Sequence, residues 1–149
     1  MNPYVQDNEF PDSFPRNFVS EILPENAVPI NLNVYRVCLE GVINAEAFQS
    51  SFEAESRLIR PRELDLKDPS TYSTSCFEKA KDIKRSLKMF RKKNHPKAIV
   101  ARGETGTTHG LVLQAPHKSK TSHVNWWIYK GHDVSGNFTD VTDEIVGGE

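Results

Sequence analysis

Between Ser75 and Lys93 the chain carries Phe77, Ala80, Ile83, Leu87 and Phe90 at helical spacing, with lysines and arginines filling many of the positions between them. Apolar side chains at that period line one stripe of a helix, so the segment must bury one side and leave the other in water. Ser75 followed by Glu78 fits a capping box, and Asn94 and Pro96 supply a stop. Arg91, Lys92 and Lys93 fall in the last turn, where cations complement the helix dipole. The spacing predicts one helix over residues 75–93, and a helix with one apolar stripe needs a second layer to pack on.

That layer follows in the sequence. Lys97 to Arg102, His109 to Ala115 and His123 to Tyr129 are strand-like runs, joined by the turn-rich connectors GETGTT and PHKSKT, which favours an antiparallel meander. Alternation puts Ile99, Ala101, Val112, Val124, Trp126 and Ile128 on one face, assigned to the core against the helix. The opposite face carries Val100, Arg102, His109, Leu111, Leu113, Asn125, Trp127 and Tyr129. Asn33 to Leu39 reads as an earlier strand, with Tyr35, Val37 and Leu39 on one side and Val34, Arg36 and Cys38 on the other. Asn44 is placed to cap a short helix to about Ala54 that buries Phe48 and Phe52, and Asn137 to Val141 reads as a last short strand. The expected fold class is α+β: a small antiparallel sheet, made of the C-terminal three-stranded meander plus the N-terminal strand, packed against one long amphipathic helix and a shorter helix.

Five of the nine prolines lie in residues 1–31, which read as an extended Pro-rich arm with one helical turn around Asn17 to Leu23. Residues 32–146 are expected to form a single α+β domain and 147–149 a frayed tail. Residues 56–70 mix charge with Leu without a clear period and read as a loop with a short strand. A chain of 149 residues builds a core without staples, and two cysteines, Cys38 and Cys76, suit a reducing compartment. No apolar run approaches the roughly 18 residues of a membrane span. The first ten residues lack the pattern of a signal peptide. A cytoplasmic location is the expectation.

The net charge of −1 hides a segregation: residues 1–70 carry −6, residues 71–97 carry +7 and residues 98–149 carry −2. A local cluster of cations concentrates anions whatever the total charge, although solvated Lys-rich helix faces also occur in proteins that bind nothing. Lys84, Arg85, Lys88, Arg91 and Lys92 are expected to project as a band, with Arg102, Trp127 and Tyr129 on the mixed sheet face completing a binding surface. The function expected first is a binding or accessory module for an anionic partner, nucleic acid or an acidic protein. Trp126-Trp127 puts one indole on each side of its strand, so one of them needs the tail, the arm or a partner as cover. Cover by a second copy would make a homo-oligomer.

All five histidines lie in the last third, at intervals of 14, 8, 6 and 9, which are not the spacings of a metal site. His109 is expected between Arg102 and Tyr129 as a polar point on the sheet. Arg36, inside an apolar strand, needs either a carboxylate such as Glu53 or Glu55 or an anionic ligand to grip. The loop Gly103 to Thr108 lacks the Lys and the following helix of a P-loop and reads as a hairpin turn.

Tyr35-Arg36 on an early strand, followed by Ser73-Thr74-Ser75, resembles the arginine strand and Ser-Thr-Ser motif of the arginine-specific ADP-ribosyltransferases. The resemblance implies a small α+β enzyme in which Arg36 supports the phosphates of NAD and the Ser-Thr-Ser shapes the pocket. It also implies a downstream Glu; no Gln-x-Glu or Glu-x-Glu pair occurs, and Glu104 and Glu144 are the nearby candidates. The alternative function is therefore an enzyme using NAD or another phosphate-bearing ligand, with His109, Arg36, Ser73 and Ser75 as candidate catalytic residues.

Overall fold

The alternating runs become strands of one open antiparallel sheet in the computed structural model, which describes residues 1–55 and 63–147. The strands are β1 (Asn33–Cys38), β2 (Thr74–Phe77), β3 (Ile99–Glu104), β4 (Gly110–Gln114), β5 (His123–Ile128) and β6 (Phe138–Asp140), in the spatial order β4-β5-β2-β1-β3-β6. Among the described residues three α-helices accompany them: α1 (Ser51–Glu55), α2 (Ala80–Lys92) and α3 (Thr142–Val146). The architecture is α+β.

Only the hairpin half of the expected meander forms. β4 pairs with β5, whereas β3 pairs with β1 on one side and β6 on the other. The cause is β2, which occupies the inner edge of β5 in the register Thr74↔Trp126 to Phe77↔His123. Residues 74–77 are thus a strand and not the first turn of a helix, because Thr74, Cys76 and Phe77 are all buried in the sheet. A capping box contributes about 1 kcal/mol and cannot offset a strand's worth of ladder and burial. α2 starts five residues later than Ser75, and its cap comes from across the molecule: Ser122 Oγ accepts from Lys79 N at 3.0 Å. A reciprocal capping box does exist, at Ser50 and Glu53, each side chain accepting from the other's backbone N–H at 3.1 Å. It divides the expected Asn44-to-Ala54 helix into a 3₁₀ turn, Ala45–Phe48, and α1.

The two faces of the sheet hold the expected residues, but the layers over them are arranged differently. The front face packs Val34, Cys38, Cys76, Ala101, Val112, Val124 and Trp126 with Phe48, Val134 and Phe138. Gly103 is required there, since a Cβ would stand 2.7 Å from Cγ of Phe138. α2 packs on the back face instead, where Ile83 and Leu87 join Val37, Phe77, Val100 and Ile145. Its stripe therefore does not meet Val112, Val124 and Trp126, because the 3₁₀ turn and the segment around Phe138 already cover them.

The other half of the back face lies under residues 1–31. Phe10, Phe18 and Leu23, with Tyr72, bury Leu111, Trp127 and Tyr129. Phe10, Phe14 and Phe18 recur every four residues around the π-helical turn Phe18–Ile22 and interlock, Phe10 with Phe18 at 5.0 Å and Phe14 with Tyr72 at 5.1 Å between centroids. Val28 then exchanges both backbone hydrogen bonds with Val112, pairing the outer edge of β4.

Of the expected loop and strand at 56–70, residues 56–62 lie outside the described residues, and Pro69–Tyr72 is a 3₁₀ turn. In the tail, Gly147 N donates to Asp143 O at the end of α3, and 148–149 lie outside the described residues. Among the described residues no helix is long and apolar enough to cross a membrane.

Candidate functional site

Between α2 and the N-terminal arm the back face keeps a polar strip. Ser73, Ser75, His123 and Asn125 lie along it, because β2 and β5 place Ser75 opposite Asn125 and Phe77 opposite His123. On one face of an antiparallel pair such diagonal neighbours reach each other. Ser75 Oγ is 3.2 Å from His123 Nε2, and His123 Nδ1 is 3.0 Å from Ala115 O. A carbonyl only accepts, so Nδ1 carries the proton and Nε2 offers its lone pair to the Ser75 hydroxyl. Burial lowers the pKa of His123, opposed by its bond to Ala115 and assisted by His117 and Lys120 nearby. The imidazole is thereby kept neutral. It is clamped between Phe77 and His117, with ring centroids at 5.4 and 4.6 Å.

This pair opens onto a pocket of about 260 Å3 lined by Ser51, Leu64, Ser70, Thr71, Ser75, His117 and His123. The neighbouring pair is closed: Ser73 and Asn125 are buried, with Ser73 Oγ 2.8 Å from Asn125 Oδ1 and 3.0 Å from Ser70 O.

Arg36 belongs to the other side of the sheet. Its guanidinium donates to Ala47 O at 3.0 Å, Ser75 O at 2.9 Å and Gln49 O at 3.4 Å. β1 and β2 share a single register pair, Tyr35↔Phe77, and the guanidinium spans the gap where the ladder fails. Its hydrogen-bond acceptors are thus main-chain carbonyls, where a carboxylate or an anionic ligand was expected. Alternation sends Arg36 to the front and the hydroxyls of Ser73 and Ser75 to the back, so they do not surround one ligand. Arg36 does lie beside two buried thiols, which burial pushes up, against the pull of Arg36, to about 11 for Cys38 and about 12 for Cys76.

His109 stands at the far end of β4, its Nδ1 3.2 Å from that of His132. The four candidate catalytic residues therefore do not converge: Ser75 meets His123, a histidine that spacing alone did not single out. Glu104 and Glu144 are exposed, at the end of β3 and in α3.

The basic residues divide by role. Lys81, Arg85, Lys88 and Lys92 are exposed along one side of α2, while Lys84 is half-buried. Arg91 directs Nε and Nη2 to Ala98 O at 3.0 and 2.8 Å and so braces the turn after α2. Arg85 donates to Ser119 O at 2.9 Å, drawing the β4–β5 loop, with Lys118 and Lys120, against the helix. Asp82 fixes the same loop: its Oδ2 accepts from Ser122 N at 3.0 Å and Ser122 Oγ at 2.6 Å. Burial alone would raise the Asp82 carboxyl, but those two bonds, with Lys81 and Arg85, hold it below the usual value. Arg102 is exposed on β3, 6.0 Å from the Tyr35 ring centroid.

Trp127 and Tyr129 are not part of an open surface. Both are buried under the arm, and Trp127 Nε1 donates to Pro69 O at 2.9 Å. The aromatic face expected to meet a partner or a second copy is covered by the chain's own first residues.

Among the described residues no cluster of three or more His, Cys, Asp or Glu is placed to hold a metal ion. No protein-family profile matches the chain, and no curated protein or solved structure is significantly similar to it.

Proposed function

We propose that the chain is a binding module for an anionic partner, nucleic acid in the first instance, engaged through α2 and the β4–β5 loop. What carries the reading is the Arg85–Ser119 bond, which joins the cations of the loop to those of the helix. Lys81, Arg85, Lys88 and Lys92 follow one another at steps of four, three and four residues. They span roughly 16 Å at 1.5 Å per residue, the length of about five phosphates of one DNA strand. The aromatic residues play no part in this surface. The NAD-using alternative has weaker support, since the Arg36 donors face carbonyls.

The test is retention on immobilised nucleic acid as a function of salt. Binding at low salt should weaken steeply as salt rises, and Lys81→Glu with Lys92→Glu should flatten that dependence by roughly 0.9 log units per lost phosphate contact. Absence of retention at low salt, or an unchanged slope in the double variant, overturns the proposal.

A further inference from the structure

We propose that Ser75 is a nucleophile activated by His123, and that the pocket these two residues line hydrolyses short, uncharged carboxylic esters. A general base must present a lone pair to the nucleophile's proton and have its other nitrogen held. His123 does both, with Nδ1 donating to Ala115 O at 3.0 Å and Nε2 accepting from Ser75 Oγ at 3.2 Å. The rings of Phe77 and His117 pack against it, and burial favours the neutral form that can accept.

Ser75 is also accessible, unlike its neighbour on the strand. The Ser73–Asn125 pair shows what a purely structural hydroxyl looks like on this strip, sealed and with two acceptors within reach. Ser75 is half-buried and lines the pocket. Its backbone is also fixed, since Arg36 holds the Ser75 carbonyl from the opposite side of the sheet at 2.9 Å. Arg36 is thus a positioning residue here.

The walls select the substrate. The described lining residues offer hydroxyls, two imidazoles and Leu64 and no Lys or Arg, a lining that suits an uncharged substrate. The hydroxyls of Ser70 and Thr71 already donate to Asp68 Oδ1 at 2.8 Å and Asp65 O at 2.6 Å. A volume of about 260 Å3 lies below that of pockets for drug-sized ligands and suits an acyl group of a few carbons.

In the first step Ser75 Oγ bonds to the ester carbonyl carbon while its proton passes to His123 Nε2. The bond to the alcohol oxygen then breaks, and the imidazolium returns the proton to the departing alkoxide. In the second step His123 takes a proton from water, the hydroxide bonds to the acyl carbon, and Ser75 Oγ leaves and recovers the proton. Atoms and charge balance, and water is the only co-reactant.

The experiment follows nitrophenolate release from p-nitrophenyl acetate by the full chain, beside Ser75→Ala and His123→Gln, with circular dichroism as the check on folding. The wild-type rate should exceed the spontaneous rate and fall by roughly 100-fold or more in both variants. A fluorophosphonate should modify the wild-type chain at Ser75, located by peptide mass mapping, and this measurement stands even where a variant fails to fold. Salt at a concentration that abolishes retention on nucleic acid should leave both readouts unchanged, which keeps this inference separate from the anionic partner. Equal rates in wild type and folded Ser75→Ala, or a fluorophosphonate adduct absent from Ser75, overturn the proposal.

Discussion

Two different layers cover the two halves of one sheet face. α2 does so with a regular helix whose stripe of Ile83 and Leu87 packs on Val37 and Val100. The arm does so with little regular structure, using rings four residues apart to bury Trp127 and Tyr129. The helix satisfies its own backbone, so its contacts need only be apolar. The arm has to find partners elsewhere, and it does so through Asn2 Nδ2 to Ala27 O at 2.9 Å, Lys130 N to Glu9 O at 2.7 Å and the Val28–Val112 exchange. Apolar burial thus draws an irregular segment onto a sheet as well as a helix, provided that its polar backbone groups find partners. Neither apolar cluster takes in Ser73, Ser75, His123 or Asn125, so this strip of the face remains polar, and Ser75 and His123 line a pocket there with Ser51, Ser70, Thr71 and His117.

Truncating each layer in turn should give the largest losses of stability and show whether the two layers unfold together. Phe18, a residue of the arm only 2% exposed, should cost about 3–5 kcal/mol as Phe18→Ala, and Leu87→Ala about 2–5 kcal/mol in α2. Urea unfolding followed by circular dichroism and by Trp fluorescence checks both. Coincident transitions in the two variants mean that arm and helix unfold with the sheet as one unit. An early fluorescence transition confined to Phe18→Ala would make the arm a separate, weaker layer.

Arg36→Met comes next in size. The substitution keeps much of the apolar stem but leaves the carbonyls of Ala47, Gln49 and Ser75 without their donor, at a cost of roughly 1–3 kcal/mol. If the guanidinium were held for a ligand instead, its removal would hardly change the unfolding midpoint.

What was legible in the sequence was local. A period of two sorts residues between faces whatever the strands pair with, so Ala101, Val112, Val124 and Trp126 could be grouped before their neighbours were known. The body of α2 was legible for the same reason, as was its stop, where Asn94 adopts φ +108. Strand order was not legible, because it turns on residues 74–77, which carry both a cap motif and a strand's burial pattern. The Ser75–His123 contact spans 48 residues and exists only through the β2–β5 pairing. One signal was available: Phe10, Phe14 and Phe18 stand at helical spacing within the proline-rich arm, a stripe that an extended segment would not need.

Asp82→Ala should have a smaller effect, about 1–2 kcal/mol, by unfastening Ser122 and the start of β5 from α2. Its folded pKa is depressed, so the stabilisation it supplies is present above the unfolded carboxyl value of 3.8 and lost as pH falls through the folded value. Chemical denaturation of wild type and variant in acid should therefore converge. A difference that persists at the lowest pH would assign the effect to packing rather than to the charged carboxylate.

The smallest effect belongs to the strip itself. His123 has its pKa lowered from 6.5, chiefly by burial, so the unfolded chain takes up a proton at a pH where the folded chain still holds the neutral ring. Stability must then decline as pH falls below about 6.5, and level off once pH passes below the folded value, where both states are protonated. Neutral-to-basic conditions should show no contribution from this group. His123→Gln removes the titration while keeping a side chain able to bond Ala115 O, so the difference in unfolding free energy between wild type and variant should itself depend on pH over that interval. A pH-independent difference would mean that the imidazole titrates alike in both states. The strip would then be as open to water as the unfolded chain, and the contrast between a buried polar seam and its two apolar covers would fail.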